Sequence, residues 1–218
     1  MTSTAISAQG STLSISGAAG VAQNISAVAV GFPTILTAAA HGFGNGDVLT
    51  LAGLTGADAA LLNGKTVVIK NVTVNTYAVD VDTTGKVVTA PGGAPFASAT
   101  PTQWVPIANL TSFKGFDGQA SEIDKTNLSS VAKEFMLGLQ DFGHFTFDVD
   151  RDFADPGQLA CDAAKRASAI KQFKLVLPNA KTATFSGYVK NSPLDGGVDQ
   201  ILKTPGISIR ISGDVVFA

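Results

Sequence analysis

The sequence predicts a mostly β protein with one flanking α-helix and a small inserted all-β module. Two observations predict the strands: apolar and polar residues alternate with a period of two in most segments, and glycine-rich turns separate those segments. A third observation predicts the helix, because a single alanine-rich segment breaks the alternation.

The strands follow from their alternation. "TLSISG" places Leu13 and Ile15 on one face, and "FTFDVD" alternates phenylalanine and valine with threonine and aspartate. A period of two puts alternate side chains on opposite faces of a sheet, so each segment has one face for a core. The predicted strands are Thr12–Gly17, Trp104–Lys114, Phe145–Asp150, Lys171–Leu177, Thr182–Lys190 and Gly206–Gly213.

The helix is predicted at Asp155–Ala169, "DPGQLACDAAKRASA". Asp155 is a candidate N-cap, and Pro156 suits the first helical position. The apolar stripe is assigned to Leu159, Ala163 and Ile170, and the helix is expected to lie across a sheet.

The region 22–99 differs from the rest, being poor in charge and rich in Val, Thr, Ala and Gly. Turn signals occur at Gly44-Asn45-Gly46-Asp47 and at Asn63-Gly64. If the region is removed, "TLSISG" meets "QWVPIANLTSF", and these two segments make a natural hairpin. We therefore predict two domains: a discontinuous one at 1–21 and 100–218, and a β module at 22–99 inserted at a loop tip.

Composition narrows the function classes. The 218-residue chain is 45% hydrophobic and only 15% charged, which favours a component of an assembly because interface cores are depleted in charge. The net charge of −2, without a long basic run, argues against a dedicated nucleic-acid binder. With one cysteine, no long apolar run and no signal-peptide pattern, the expectation is a soluble protein made in a cytoplasm.

No catalytic or metal constellation is predicted. Asp141-Phe142-Gly143 matches the kinase tripeptide, but the glycine-rich loop and the His-Arg-Asp motif are absent, so a turn between strands is the preferred interpretation. The aspartates of "DVDRDFADPG" lack the glycine and glutamate of a calcium loop. His41 and His144 lie in different predicted domains, and Cys161 suits a buried helix position. The sequence therefore predicts no enzyme, no cofactor and no metal.

The order of several segments resembles the major tail tube protein of long, non-contractile-tailed bacteriophages. They are the early strand Ile107–Phe113, "SEIDKTNLSS", "EFMLGLQDFGHFTFDVD", "LVLPNAKTATFSGYVK" after the helix, and the terminal "IRISGDV". These segments cover about 115 residues. Each is a weak signal alone, but their occurrence in the same order as in that family makes the resemblance specific. The N-terminal "STLSISG" extends the resemblance.

The resemblance implies a β-sandwich or barrel with a flanking helix, and a structural virion protein. Six copies would form a homo-hexameric ring, and stacked rings would form a hollow tube that holds the tape-measure protein and conducts DNA without specific binding. Tail terminator and distal tail proteins would be further partners. The expected location is the phage tail, assembled in the bacterial host cytoplasm, and a tailocin tube is a close relative.

Ile25–Val88 resembles a small β module named after the first catalytic-cysteine half-domain of ubiquitin-activating enzymes, known as an insertion in phage tail proteins. Its marks are "TAAAHGFGNGDVLTLAGLTG", "LLNGKTVVI" and "TYAVDVD". It contains no cysteine. An alternative function is that this module, or the whole chain, decorates the tail exterior and recognises a cell-surface glycan, for which Phe32, Phe43 and Tyr77 are its aromatic side chains.

The tail tube resemblance also implies where rings touch. In that family an N-terminal arm and a long loop between early strands bridge stacked rings, and these correspond here to Thr2–Gly10 and Gly115–Leu139. Mixed charges suit contacts that fix register, although such charges are also found on ordinary solvated loops. The candidate interface residues are Thr2, Ser3, Ile6, Lys114, Asp117, Glu122, Asp124, Lys125, Lys133 and Glu134.

Overall fold

A computed structural model describes residues 5–218 and shows a mostly β protein, as predicted. The described residues contain one α-helix, α1 at Pro156–Ala167, and a short 3-10 helix at Ala59–Leu61. The strands are β1 Thr12–Ala19, β2 Gln23–Ile25, β3 Ala27–Ala29, β4 Thr34–Thr37, β5 Val48–Ala52, β6 Thr66–Lys70, β7 Thr76–Val79, β8 Ala97–Ile107, β9 Leu110–Gly115, β10 Ala120–Asp124, β11 Phe135–Gln140, β12 His144–Asp150, β13 Lys171–Val176, β14 Thr182–Asn191, β15 Lys203–Ile211 and β16 Val216–Phe217.

The chain divides into two compact units. Unit 1 comprises the chain up to Val105, Lys174–Thr184 and Val216–Ala218. Unit 2 comprises Pro106–Phe173 and Phe185–Val215. The predicted module at 22–99 falls within unit 1, and its boundaries stay a prediction.

Unit 1 is organised around strands in the order β3-β4-β7-β6-β5-β8-β1-β13, with β2 also paired to β8. One hydrophobic cluster has all of its buried members between Ile25 and Ala99. The region 22–99 therefore has a core of its own, which is what an inserted module needs. Both predicted turns are present: Gly46 and Gly64 have φ of +77° and +73°, the left-handed conformation that glycine favours.

Strand β8 hydrogen-bonds with several neighbours along its length. Its first residues pair with β2 on one side and with β5 on the other. Ala99, for example, lies opposite Gln23 of β2 and opposite Leu51 of β5. It also lies beside β1, so the predicted pairing of "TLSISG" with the strand after the module is confirmed. The strand predicted at Trp104–Lys114 is broken, however, because Asn109 takes a left-handed φ of +60° between β8 and β9.

Unit 2 contains an antiparallel sheet in the order β14-β15-β12-β9, with β9 at its end. Strand β12 is central, and Phe145, Phe147 and Val149 are all at most 1% exposed. The Phe145 ring centroid lies 5.0 Å from that of Phe185 and 5.2 Å from that of Phe116. Aromatic rings therefore form the centre of this core.

The helix begins as predicted. The Asp155 carboxylate accepts a hydrogen bond from the Gln158 backbone N–H at 2.7 Å, and Pro156 occupies the first position. The helix ends at Ser168, which takes a left-handed φ of +49°.

The buried face of α1 is not the one predicted. Leu159 and Ile170 are 43% and 61% exposed, and Ala163 is also exposed. The buried residues are Gly157, Gln158, Cys161 and Ala164. The reason is close approach: a Cβ on Gly157 would lie 2.7 Å from the Ile107 Cα, so the small residues face inward.

Gln158 connects three parts of unit 2. It is fully buried, and its side-chain amide donates to the carbonyls of Ala108 and Asp150 at 3.2 Å and 3.1 Å. Its side-chain oxygen accepts from the Asp152 N–H at 3.0 Å. The helix is thereby tied to the β8–β9 junction and to the end of β12.

Candidate assembly surface

A separate two-stranded hairpin forms within the segment that was predicted to be a long loop. Strands β10 and β11 pair antiparallel, with Glu122 opposite Leu137, Ile123 opposite Met136 and Asp124 opposite Phe135. They form a two-stranded sheet distinct from the larger one. The prediction that Gly115–Leu139 is a loop is therefore corrected, since residues 120–124 and 135–139 within it form paired strands.

This hairpin carries many exposed apolar side chains. Leu128 and Val131, between the strands, are fully exposed, and Leu139 is 88% exposed. The register places Leu137 and Phe135 on one face and Met136 and Ile123 on the other. The exposed apolar residues are Ile123, Leu128, Val131, Phe135, Met136, Leu137 and Leu139.

Apolar side chains exposed on both faces of this hairpin indicate an interaction site. An isolated two-stranded hairpin is at best marginally stable in water, and contiguous exposed apolar surface on a soluble protein marks an interaction site. Here neither face of the hairpin is covered by the rest of unit 2. We therefore treat 120–140 as the candidate assembly surface and call it the assembly hairpin.

Five of the predicted charged residues lie in the assembly hairpin. Lys125 Nζ lies 3.7 Å from the Glu134 carboxylate at the ends of the strands, and the Asp124 carboxylate accepts from the Thr126 N–H at 2.8 Å. Glu122 is exposed on β10, and Lys133 is exposed in the connection. The fold therefore brings these predicted residues together in one hairpin.

The remaining predicted residues lie elsewhere. Lys114 is exposed on β9, where it pairs with Thr146 of β12. Asp117 lies between β9 and β10 and belongs to the hairpin root described below. Ile6 belongs to unit 1 and is 58% exposed, and Thr2 and Ser3 lie outside the described residues.

Four side chains fix the root of the assembly hairpin, where the chain leaves β9 and returns to β12. Arg210 of β15 donates to the Asp141 carboxylate at 2.7 Å, and its other terminal nitrogen lies 3.3 Å from His144 Nε2. The Asp117 carboxylate accepts from the His144 backbone N–H at 2.7 Å. We call Asp117, Asp141, His144 and Arg210 the root cluster. These residues contribute to the lining of a cleft of about 360 Å³.

Glycines let the two legs of the hairpin meet at this root. A Cβ on Gly118 would lie 2.5 Å from the Asp141 carbonyl oxygen. Gly143 has φ of +76°, and a Cβ there would lie 2.6 Å from the Gly118 nitrogen. The tripeptide Asp141-Phe142-Gly143 is therefore a turn, as the sequence predicted, whose aspartate accepts from the Gly143 N–H at 2.8 Å.

The two root carboxylates are stabilised in their ionised forms. The pKa of Asp141 lies below its ordinary value because the Gly143 N–H and then Arg210 donate to the carboxylate. The pKa of Asp117 is lowered chiefly by the His144 N–H. Both groups should therefore contribute stability above pH 3.8, and this contribution should be lost as the pH falls through their lower folded-state pKa values.

Replacing Asp141 with asparagine should reduce the acid sensitivity of the protein. Asparagine can still accept from the Gly143 N–H, but it has no carboxylate to protonate. We expect the free energy of unfolding of Asp141→Asn to fall less than that of wild type between about pH 6 and about pH 2.5. Urea titrations at the two pH values measure this, and equal losses in both proteins would contradict the assignment.

The other groups considered for chemistry have structural roles. Asp148 accepts from Ser112 Oγ at 2.6 Å and from the Gly206 N–H at 2.5 Å. Burial raises the pKa of the Cys161 thiol to about 12, with a further contribution from Asp162. Within the described part of the chain, no group of three or more His, Cys, Asp or Glu side chains could hold a metal ion.

The aromatic side chains of the predicted module differ in exposure. Tyr77 is fully buried, and its ring makes edge contacts with those of Phe43 and His41 at 5.7 Å and 5.4 Å. Phe43 is half-buried and packs against the module core. Within Ile25–Val88, Phe32 is the most exposed aromatic side chain, at 69%, and is the one that a glycan could reach.

The exposed apolar residues of the assembly hairpin were missed from the sequence. The predicted interface contained its charges, whereas Leu128, Val131 and the run "FMLGL" were not included. That run is a signal in itself, because four of its five residues are large and apolar and no glycine-rich turn separates them. The run could be assigned to an interface only once the structure showed that the rest of unit 2 does not cover its side chains.

A comparison with models of known protein families finds no match, and a search among curated proteins finds none either. In the described part of the chain no helix has both the length and the apolar character needed to cross a membrane.

Proposed function

We propose that this protein is a self-assembling structural subunit of a hollow phage tail tube. In this proposal six copies close into a ring, as the tail tube resemblance implies, and the rings stack into a tube. The tube holds the tape-measure protein and conducts DNA during infection. The protein acts through its surfaces and has no catalytic role.

The observation that carries the proposal is the assembly hairpin. The exposed area of its seven apolar side chains corresponds to about five complete side chains, and burying them would contribute about 8–16 kcal/mol. Association costs about 4–15 kcal/mol in lost freedom, so this contribution is of the size that a protein contact needs. We therefore infer that the exposed apolar side chains of the assembly hairpin are buried against a partner surface.

The distribution of charge supports the proposal. The first 46 residues contain no Asp, Glu, Lys or Arg, and the first such residue is Asp47. Surfaces without charge suit contacts with other copies, because charged groups are costly to desolvate. The net charge of −2 suits a lumen through which DNA passes without binding.

The test is assembly of the purified protein with and without two hairpin side chains. We expect wild type to form rings or tubes in negative-stain images, and Leu137→Ser with Leu139→Ser to remain as small species. The two substitutions remove about 2–5 kcal/mol from each contact, which weakens association by at least roughly thirtyfold. Analytical ultracentrifugation measures that loss.

The matched control is Val74→Ser with Val87→Ser, which alters two side chains of unit 1 that are 73% and 57% exposed. It should assemble like wild type. The melting temperatures of the dilute proteins should agree, because all four residues are exposed. A wild-type protein that stays monomeric at every concentration would overturn the proposal.

A further inference from the structure

The two faces of the assembly hairpin differ in charge. Glu122 and Asp124 are the charged residues of β10 and β11, and the register places both on one face, opposite apolar residues of β11. The other face contains the directly opposed pair of Ile123 and Met136 and no charged side chain of either strand. We call it the uncharged face. It can be buried against another surface without desolvating a carboxylate, and desolvating a charge is costly.

Met136 is the large apolar side chain that β11 contributes to the uncharged face. The next residue of β11 on this face is Gly138, and two carbon atoms of Ile123 lie 3.3 Å from where a Cβ on this glycine would be. Ile123 therefore lies across the glycine, beside Met136. Met136 is 51% exposed and Ile123 is 49% exposed. The thioether is thus part of a small apolar surface that solvent reaches.

Met136 is the sulfur-bearing side chain that an oxidant can reach. The described residues, 5–218, contain one other, Cys161, which is 1% exposed. Burial raises the pKa of the Cys161 thiol to about 12, so the thiol stays protonated at neutral pH, whereas the thiolate is the reactive form. A thioether needs no deprotonation, and its oxidation is a common lesion of methionine. A peroxide should therefore modify Met136 first.

Hydrogen peroxide converts the thioether of methionine to a sulfoxide. The sulfur lone pair attacks one peroxide oxygen, the O–O bond breaks, and the other oxygen leaves as water with both peroxide protons. The sulfur is oxidised and the peroxide is reduced. The sulfoxide is polar, and its oxygen accepts hydrogen bonds. Ser121, near Gly138, already donates its hydroxyl to the Leu139 carbonyl at 3.4 Å, so neither strand of the hairpin offers this oxygen a free side-chain hydroxyl.

We propose that oxidation of Met136 to the sulfoxide prevents a subunit from assembling. The inference rests on the proposed function and adds a regulator of the same surface. A buried acceptor without a donor is unfavourable, so the oxidised subunit should need a concentration at least roughly tenfold higher to assemble. In an assembled tube the same thioether is covered. Oxidation therefore acts on free subunits and spares finished tubes.

Peroxide treatment of wild type and of Met136→Leu tests the site. Leucine has a similar apolar volume and no sulfur, so the variant should assemble like wild type before treatment. After treatment, analytical ultracentrifugation should show the rise of at least roughly tenfold in wild type and no change in Met136→Leu. Peptide mass spectrometry should find one added oxygen atom on Met136. Incubation with the methionine sulfoxide reductases for both epimers should restore assembly of the treated wild type.

The rate of oxidation tests whether assembly covers Met136. The reference is the hairpin variant, Leu128→Ser with Val131→Ser, which alters two fully exposed side chains between the strands and should remain unassembled. Because susceptibility follows exposure, Met136 of this variant should be oxidised at least roughly tenfold faster than Met136 of wild-type tubes. Both samples are compared at the same protein and peroxide concentrations.

The outcomes separate this inference from the proposed function. If wild type forms tubes and its purified sulfoxide form assembles equally well, the regulation is overturned while the tube proposal stands. If Met136→Leu loses assembly on treatment as wild type does, another residue is responsible and the site is overturned. Equal oxidation rates in tubes and in the hairpin variant would overturn the burial of Met136. If untreated wild type does not assemble, the proposed function itself fails and the inference fails with it.

Discussion

Replacing Phe145 with alanine is expected to lower the free energy of unfolding by about 3–5 kcal/mol. Phe145 is fully buried in β12, and its ring packs against those of Phe116, Phe147 and Phe185. These rings come from different segments of unit 2, so the cavity left by the substitution cannot close by moving one of them. Urea unfolding measures the loss.

The measurement is best made in the hairpin variant, Leu128→Ser with Val131→Ser, because assembly would otherwise add to the apparent stability. Phe96→Ala is the matched control, since Phe96 is 48% exposed and should cost clearly less. A loss below about 1 kcal/mol for Phe145→Ala would show that the aromatic cluster is not the centre of this core.

Replacing Gly143 with alanine is expected to displace the assembly hairpin and raise the concentration needed for assembly by at least roughly tenfold. A side chain at φ +76° costs about 1–2 kcal/mol, and the added Cβ would meet the Asp117 carboxylate. Asp117 would then lose its hydrogen bond from the His144 N–H. Amide hydrogen exchange at His144 should accelerate in the variant.

Gly85→Ala provides the control for backbone strain alone. Gly85 has φ of +68°, and a Cβ there would meet nothing within 4 Å. Both variants should lose stability, whereas only Gly143→Ala should impair assembly. If the two variants assemble equally well, the root cluster does not position the hairpin for docking.

Local chemistry made several elements predictable. The start of α1 follows from an aspartate and a proline at adjacent positions, because both act within one helical turn. Strand β12 follows from its alternation, because one of its faces is buried and the other is not. The pairing of β1 with β8 followed from joining the chain across the predicted module.

Other features depend on contacts that sequence patterns do not encode. The inward face of α1 is set by how closely Gly157 approaches the backbone at Ile107, so small residues are buried while Leu159 faces outward. The pairing of β10 with β11 depends on cross-strand register over a ten-residue connection. The run "FMLGL" looks like core in the sequence, since hydrophobicity alone does not tell whether the same chain or another one covers it.

Strand β8 also bears on how such a chain could have gained the region 22–99 during evolution. Its residues Ala97 and Ala99 are buried with the module core, and the same strand continues to Ile107 without a linker. Because side chains alternate along a strand, a junction shifted by one residue would turn every later side chain of β8 to the opposite face. If the predicted module is an insertion, a junction within β8 must therefore keep the phase of that strand, so that its buried side chains stay on the buried face.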